Sequence, residues 1–533
     1  MKKASTLAAL LTGIQSLSAQ EDSGNITQLI EEKFKPIADF WGGLVFYEIP
    51  IGSWNIPLIL IILLGGATFF TLYFGFPQFK LFKTAIKVVA GKYDDIDRHS
   101  SMPVAGDPTP TKGNDIPETI KVEGEHIGEV SHFQALSAAL SATVGLGNIA
   151  GVAVAIAIGG PGATFWMILA GLLGMASKFT ECTLGVKYRD IGPDGTVYGG
   201  PMYYLRKGLA KMGKGSLGKF LAAFFAVMVI GGSFGGGNMF QANQSAAQFK
   251  KLFGLGGDTG FYFGILLAIL VGVVIIGGIK RIGKVAEKIV PFMAVIYVGA
   301  GLVILALNFN LIPDAFLLIF KGAFTPEAGL GGFIGVMIQG FRRATFSNEA
   351  GVGSAAIAHS AVKTKYPASE GIVALLEPFI DTVVICTMTA LVLIVTNLKY
   401  DLFSYGDPAV KGKGVELTAT AFDMVIPHFS IILTIAVILF AFSTMLSWSY
   451  YGLQGWMYLF GRSKKADLTY KFLFLFFVVV GASVKLGSVL DFSDAMIFAM
   501  VFPNIIGIVL LAPEVKEELK KYLNVIKRKE SSS

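Results

Sequence analysis

The sequence predicts an all-α membrane protein of eleven transmembrane helices, two of them broken near the middle. Three observations carry this. Apolar runs of membrane-spanning length recur from Ile56 to Pro513. Only 15% of residues are charged while 53% are hydrophobic, where an ordinary soluble domain carries about 25% charged residues. Lysine and arginine collect in alternate connections between the runs, as the positive-inside rule requires. A soluble enzyme, a nucleic-acid binder and a disulfide scaffold are thereby excluded as first readings. The formal charge of +7 sits between apolar runs rather than on one basic face. Cys182 and Cys386 fall in separate apolar segments and offer neither a disulfide framework nor metal-ligand spacing.

From the N-terminus, Lys2 and Lys3, an apolar stretch from Leu7 to Ile14 and the small residues Ser16 to Ala19 read as a signal peptide cleaved after residue 19. An extracytoplasmic segment, 20–53, follows. A helix needs about 20 apolar residues to cross the bilayer. The expected spans are 54–75, 133–158, 163–186, 218–246, 260–279, 286–307, 331–359, 371–396, 429–453, 470–487 and 493–512. If the first runs inward, the inner connections hold Lys80, Lys83, Lys87, Arg206, Lys207, Lys280, Arg281, Lys363, Arg462 and Lys464, and the outer ones hold few. The N-terminus is then outside and the tail, 514–533, cytoplasmic. The polar linker 76–130 is expected to be partly disordered, because Asp94 to Glu129 shows no apolar period.

Two spans resist a continuous helix. The second carries Gly145, Gly147 and Asn148 near its middle; the seventh carries Arg342, Arg343, Glu349, Gly351 and Gly353. Irregular backbone at membrane depth is tolerated only against protein or a water-lined cavity, and paired breaks are the sequence mark of a transporter site. The breaks open two groups of five spans, 131–307 and 331–513, of opposite direction: an inverted five-plus-five repeat. Close packing accounts for Gly235, Gly236 and Gly237 in span four, but not for charges that cost ~2.5–3.5 kcal/mol each at the bilayer centre.

A half-helix beginning at membrane depth favours an anion and one ending there favours a cation. Two facing breaks therefore suit a zwitterion. Amides of Leu146, Gly147 and Asn148 are expected on a substrate carboxylate, and carbonyls of Thr345 to Ser347, with the Ser347 and Asn348 side chains, near its amino group. Ser443 and Thr444 offer adjacent hydroxyls for Na⁺, with the carbonyls of Ser141 and Val144 completing the shell. The competing reading is hydroxyl bonding to the preceding helical turn. Gln241, Asn243 and Gln244 either line the path or tie helices together. Lys178 and Glu181 stand three apart and are expected to pair. Asp381 is the expected partner of Arg342 or Arg343; alternatively Glu349 or Asp381 relays a proton. The five histidines form no cluster in the sequence. No phosphate-binding loop and no nucleophile–base pair is present, so neither ATP drive nor catalysis is expected.

At these residues the chain resembles the alanine/glycine:cation symporters, the bacterial sodium:alanine symporter family. The resemblance rests on Gly159-Gly-Pro-Gly-Ala163 with Phe165-Trp166-Met167, Ser131-His-Phe-Gln-Ala135, Gly147-Asn-Ile-Ala-Gly151, Gly199-Gly-Pro-Met-Tyr203, Gly237-Asn-Met239, Phe346-Ser-Asn-Glu-Ala-Gly351 and Ser447-Trp-Ser-Tyr-Tyr-Gly452. Thr164, Ile168 and Ala344 depart from the pattern. The resemblance implies a leucine-transporter-type fold, of the amino acid-polyamine-cation superfamily, with one extra N-terminal helix. It implies Na⁺-driven uptake of alanine or glycine across a bacterial plasma (inner) membrane. It gives Thr143, Gly147, Asn148, Gln241, Phe346 and Ser347 as substrate candidates, and Ser141, Val144, Ser443 and Thr444 as ion candidates.

The expected function is a multi-pass symporter with Na⁺ as coupling ion and no organic cofactor. Its partners are a small neutral amino acid, with D-alanine also a candidate, and membrane lipid, not nucleic acid. Bulk from Phe346 and Met239 would exclude larger side chains. A proton-coupled carrier, an amino-acid sensor and a gated channel are the alternatives. The sequence sets no oligomeric state.

Overall fold

The computed structural model describes residues 26–52, 54–98, 128, 130–192, 196–324, 332–407, 410 and 412–532. The signal peptide expected at 1–19, and the linker over 99–127 and at 129, lie outside the described residues.

The described chain is almost entirely helical. In order, the helices used below are α1 (Ile26–Val45), α2 (Leu58–Tyr73), α3 (Phe82–Val89), α4 (His132–Thr143), α5 (Gly147–Gly159), α6 (Ala163–Lys187), α7 (Pro201–Lys211), α8 (Gly215–Phe253) and α9 (Thr259–Ile275). They continue with α10 (Gly278–Leu307), α11 (Ile312–Phe324), α12 (Gly332–Asn348), α13 (Ala355–His359), α14 (Pro367–Tyr400), α15 (Gly414–Val425), α16 (Phe429–Phe460), α17 (Lys464–Ser483) and α18 (Leu486–Ser532). Seven of these are long and apolar enough to cross a membrane, and α4 with α5 forms an eighth candidate bent by 50°. The π-helical turn Gly235–Met239 lies within α8 and a longer π stretch, Phe379–Cys386, within α14.

The segment 20–53 holds the helix α1. Ile30, Phe34, Ala38, Trp41 and Val45 recur every three or four residues, and this stripe packs α1 onto the core. Phe34 meets Phe492 of α18 edge-on at 5.2 Å. The first span is also shorter than its expected 54–75, because Trp54–Pro57 pairs with Glu48–Ile51 as a two-stranded hairpin before α2 begins. Two connections between the expected spans contain helices, α11 and α15, that the apolar-run reading passed over.

Contacts gather the connections at two ends. At one, Thr27 Oγ1 donates to Asp258 Oδ1 (3.0 Å), while Glu31 accepts from the Lys485 amide (2.7 Å) and Ser488 Oγ (2.6 Å). At the other, Lys187 pairs with Glu514 (2.7 Å), and Tyr188 donates to the same carboxylate (2.6 Å). There the tail continues α18 as one helix. Tyr93 donates to Glu530 Oε1 (2.8 Å), and burial together with that bond pushes its phenol up to about 12.

Candidate functional site

The first break forms because α4 runs out of acceptable geometry at Thr143. A capping box of Ser131 and Gln134 starts α4, and Val144 leaves it at φ −74°, ψ 85°. The Gly145 amide then turns to Asn148 Oδ1 (2.9 Å) instead of the Ser141 carbonyl, and the Leu146 amide turns to Gln241 Oε1 (3.3 Å). Freed from that amide, the Ser141 carbonyl accepts from Thr444 Oγ1 of α16 at 3.2 Å. Glycine is required at 145, since a Cβ there would run into Thr444 Oγ1.

The second break follows α12. Glu349 sits at φ 57°, a left-handed conformation worth roughly 1–2 kcal/mol of strain outside glycine, and Gly351 (φ 83°) and Gly353 (φ 94°) complete the turn. Its carboxylate is held by Ser354 Oγ on one oxygen and by Trp448 Nε1 (3.0 Å) on the other.

Between the breaks lies a small cavity lined by Ala142, Thr143, Gly147, Gly236, Gln241, Phe346, Glu349, Trp448 and Ile497. Five sequence-predicted residues meet there: the substrate candidates Thr143, Gly147, Gln241 and Phe346, and the proton-relay candidate Glu349. The cavity has room for roughly one water molecule. Phe346 packs edge-on against Phe240 at 5.0 Å, and the Arg343 guanidinium lies 5.2 Å from the Phe346 ring centre. α8 approaches closely because Gly236 and Gly237 carry no side chain: a Cβ would collide with Ile497 and Trp448 respectively.

Other expected residues brace the break instead of facing the cavity. Asn148 Nδ2 donates to Asp381 Oδ1 (2.7 Å) and to the Asp381 carbonyl (3.1 Å), while its own amide goes to the Gly145 carbonyl (3.2 Å). Ser347 Oγ donates to Asp381 Oδ1 (3.1 Å), and Asn348 Nδ2 to Thr382 Oγ1 (2.8 Å). The Thr345 carbonyl accepts from the Glu349 amide (2.9 Å). Leu146, Asn148, Ser347 and Asn348 thus spend these groups on the fold. In α8, Asn243 donates to the carbonyls of Gly481 (3.1 Å) and Val484 (2.6 Å), and Gln244 accepts from the Val415 amide (2.9 Å), so both tie helices together.

The expected ion ligands separate. Thr444 faces the freed Ser141 carbonyl, but Ser443 Oγ donates back to the Phe440 carbonyl (3.1 Å), the ordinary helical bond. Ser141 Oγ donates to the Ser443 carbonyl (3.3 Å) and accepts from Ser447 Oγ (3.1 Å), so Ser447 joins the oxygen cluster. Val144 ends α4 beside it.

Two ion pairs differ from expectation. Arg342 and Arg343 do not pair with Asp381; both engage Asp494 Oδ2 of α18, Arg342 through Nε at 2.7 Å and Arg343 through Nη2. A carboxylate twisted toward Asn148 and Ser347 is out of their reach, whereas Asp494 opposes α12. Lys178 does not pair with Glu181. It bonds Glu377 Oε1 at 3.0 Å, and Glu181 accepts from Asn504 Nδ2 at 2.9 Å. Although three-apart side chains are neighbours on a helix, Glu377 of α14 and Asn504 of α18 draw these two to different helices. Trp448, Glu377 and Asp494 were missed as site or network residues. Trp448 stood in a quoted motif, and Asp494 was a visible charge at the start of a span.

Two broken helices meeting at one cavity are the arrangement of a transporter binding site. The fold is shared with the structure of MhsT in complex with L-phenylalanine, which superposes with a TM-score of 0.52 at 16% identity, covering 74% of this chain and 92% of that one. A sequence profile of the sodium:alanine symporter family matches residues 115–533, and the chain belongs to that family. It is 42% identical over 479 residues to the sodium/alanine symporter AgcS of Methanococcus maripaludis, covering 90% of this chain and 96% of AgcS. It is 32% identical over 468 residues to the amino-acid carrier protein AlsT of Bacillus subtilis, covering 87% and 89%.

Proposed function

We propose that this protein is a Na⁺-coupled symporter importing small neutral amino acids, alanine foremost, by alternating access. The observation that carries the reading is the junction of the two breaks. One cavity is walled by Thr143 and Gly147 from the first and by Phe346 and Glu349 from the second, with the freed Ser141 carbonyl and Thr444 hydroxyl beside it. In this reading the amino acid lies between the breaks under Phe346, held by Thr143, Gly147 and Gln241. Na⁺ binds among the oxygens of Ser141, Val144 and Thr444 and fixes the α4–α16 contact, with the Ser443 hydroxyl left on its own helix. The bulk of Phe346 in the cavity wall favours alanine, glycine or D-alanine over larger residues.

The same reading gives the chain eleven spans in a plasma membrane. The seven long helices and the bent pair are joined by α2, α9 and the broken α12–α13. The five spans from α4 and the five from α12 form the inverted repeats, 131–307 and 331–513. The outer end carries α1, and the cytoplasmic end carries the tail. Uptake of labelled L-alanine by proteoliposomes, with Na⁺ outside against a K⁺ control, tests the proposal. Saturable uptake only with Na⁺, blocked by unlabelled alanine, is expected. Alanine binding in detergent with no vesicle loading would favour a sensor.

A further inference from the structure

One backbone carbonyl of the second break is held from outside it. α12 ends at Asn348 and α13 begins at Ala355, so the turn between them has no regular helical ladder. Within it the Val352 amide donates to the Glu349 carbonyl (3.2 Å), and the Ala350 amide to Asn348 Oδ1 (2.9 Å). The Gly351 carbonyl accepts from Asn504 Nδ2 of α18 at 2.9 Å. The rest of that side-chain amide is committed too. Nδ2 also donates to Glu181 Oε1 of α6 (2.9 Å), and Oδ1 accepts from the Tyr204 hydroxyl of α7. Asn504, Tyr204 and Glu181 are completely buried.

This pattern fixes the amide in one orientation. Turned over, its oxygen would face a carbonyl and a carboxylate, both acceptors. As it stands, two donors meet two acceptors, and Tyr204 supplies the donor that Oδ1 needs. A buried polar network satisfied in this way specifies a single arrangement. Apolar packing alone would hold α18 against α6, but it would not fix the Gly351 carbonyl. Packing closes the same spot. A Cβ at Gly353 would run into Pro201 of α7 and into Asn504 itself, and one at Gly351 into Leu63 of α2. The turn thus lies against α2, α7 and α18. Glu349, two residues before Gly351, lines the cavity and holds its left-handed φ of 57°. A strained residue keeps such a conformation only where its surroundings over-determine it, and the Asn504 bond is one of the contacts that do so.

We propose that Asn504, oriented by Tyr204 and Glu181, is a positioning residue for the transported amino acid: through the Gly351 carbonyl it sets the wall that the second break gives the cavity. This rests on the symport reading. Asn504 acts through the turn, and Glu349 and Phe346 form the wall itself. Without the amide, the Gly351 carbonyl and the Glu181 carboxylate each lose a buried donor. The turn is then free to shift, and the amino acid must order it on binding. That lowers affinity for the amino acid and leaves the later steps of the cycle alone, so the alanine KM rises while the maximal rate is kept.

The test measures initial uptake of labelled L-alanine against alanine concentration in proteoliposomes at saturating Na⁺, with rates expressed per folded transporter. Wild type, N504A, Y204F and the double variant are compared. In N504A the alanine KM is expected to rise about tenfold, with the maximal rate within about twofold of wild type. Y204F keeps the ring and its packing and frees only the orientation of the amide; its KM is expected to rise about three- to tenfold. Because Tyr204 acts through Asn504, the double variant is expected to match N504A alone. Variants that melt earlier or lose maximal rate while their KM stays within about twofold of wild type show a brace and overturn the inference, leaving the symport reading standing. Two increases in KM that multiply in the double variant also overturn it. If N504A does not fold, Y204F decides by the same criterion. No alanine uptake by the wild type removes the symport reading and this inference together.

Discussion

Replacing Thr444 with valine keeps the shape of the side chain and removes only its hydroxyl. That hydroxyl donates to the Ser141 carbonyl at 3.2 Å, and both residues are buried. If the contact were a plain hydrogen bond, its loss would cost about 0.5–1.5 kcal/mol of stability and leave Na⁺ dependence alone. If the hydroxyl is a Na⁺ ligand, the relevant magnitude is that of a bond to a charged group, about 1.5–3 kcal/mol. At 1.4 kcal/mol per tenfold, the Na⁺ half-saturation of uptake then rises about 10- to 150-fold. Ser443→Ala is the control. Its hydroxyl is spent on the Phe440 carbonyl, so the shift is expected to stay below about threefold, equivalent to under ~0.7 kcal/mol. The assay is a Na⁺ titration of initial alanine uptake at fixed alanine, beside a melting curve. A T444V protein that transports with a Na⁺ half-saturation within about twofold of wild type would refute the ion assignment.

Gly145→Ala puts a Cβ into Thr444 Oγ1; uptake is expected to be lost while the protein still purifies as a single folded species by size exclusion. Asn148→Ala leaves the Gly145 amide without its acceptor and takes one of several donors from the Asp381 carboxylate, a loss of about 1–3 kcal/mol for the orphaned amide, read as a lower melting temperature. Arg343→Ala leaves Asp494 with one partner and is expected to cost about 3–5 kcal/mol; the R343A/D494A double variant should recover part of it. Phe346→Ala removes the ring that walls the cavity, so leucine or phenylalanine should compete with labelled alanine where they do not in the wild type.

The architecture was legible where one physical signal dominates. Apolar runs located most spans, and glycine with asparagine in one run and glycine with charge in another located both breaks, because neither composition permits a continuous helix in lipid. The cavity was half legible: Thr143, Gly147, Gln241 and Phe346 meet there. The rest depends on which helices become neighbours. Asn148 looked like a ligand beside two glycines, yet its amide braces the break against Asp381. Arg342 and Arg343 find Asp494 some 150 residues away, and His132 finds Glu370 at a separation of 238. No local period encodes such pairings. α1 was hidden differently: Glu31, Glu32, Lys33 and Lys35 make the segment read as polar, although every third or fourth position is apolar.

Coupling is the central claim, and accumulation tests it most directly. Proteoliposomes would be given a tenfold inward Na⁺ gradient with an inside-negative potential set by K⁺ and valinomycin. One charge moving through 100 mV contributes ~2.3 kcal/mol, about fiftyfold in concentration. The account predicts that internal labelled alanine rises well above the external level, grows with the imposed potential and collapses when monensin dissipates the Na⁺ gradient. Alanine that only equilibrates across the membrane, unchanged by either gradient, would contradict it.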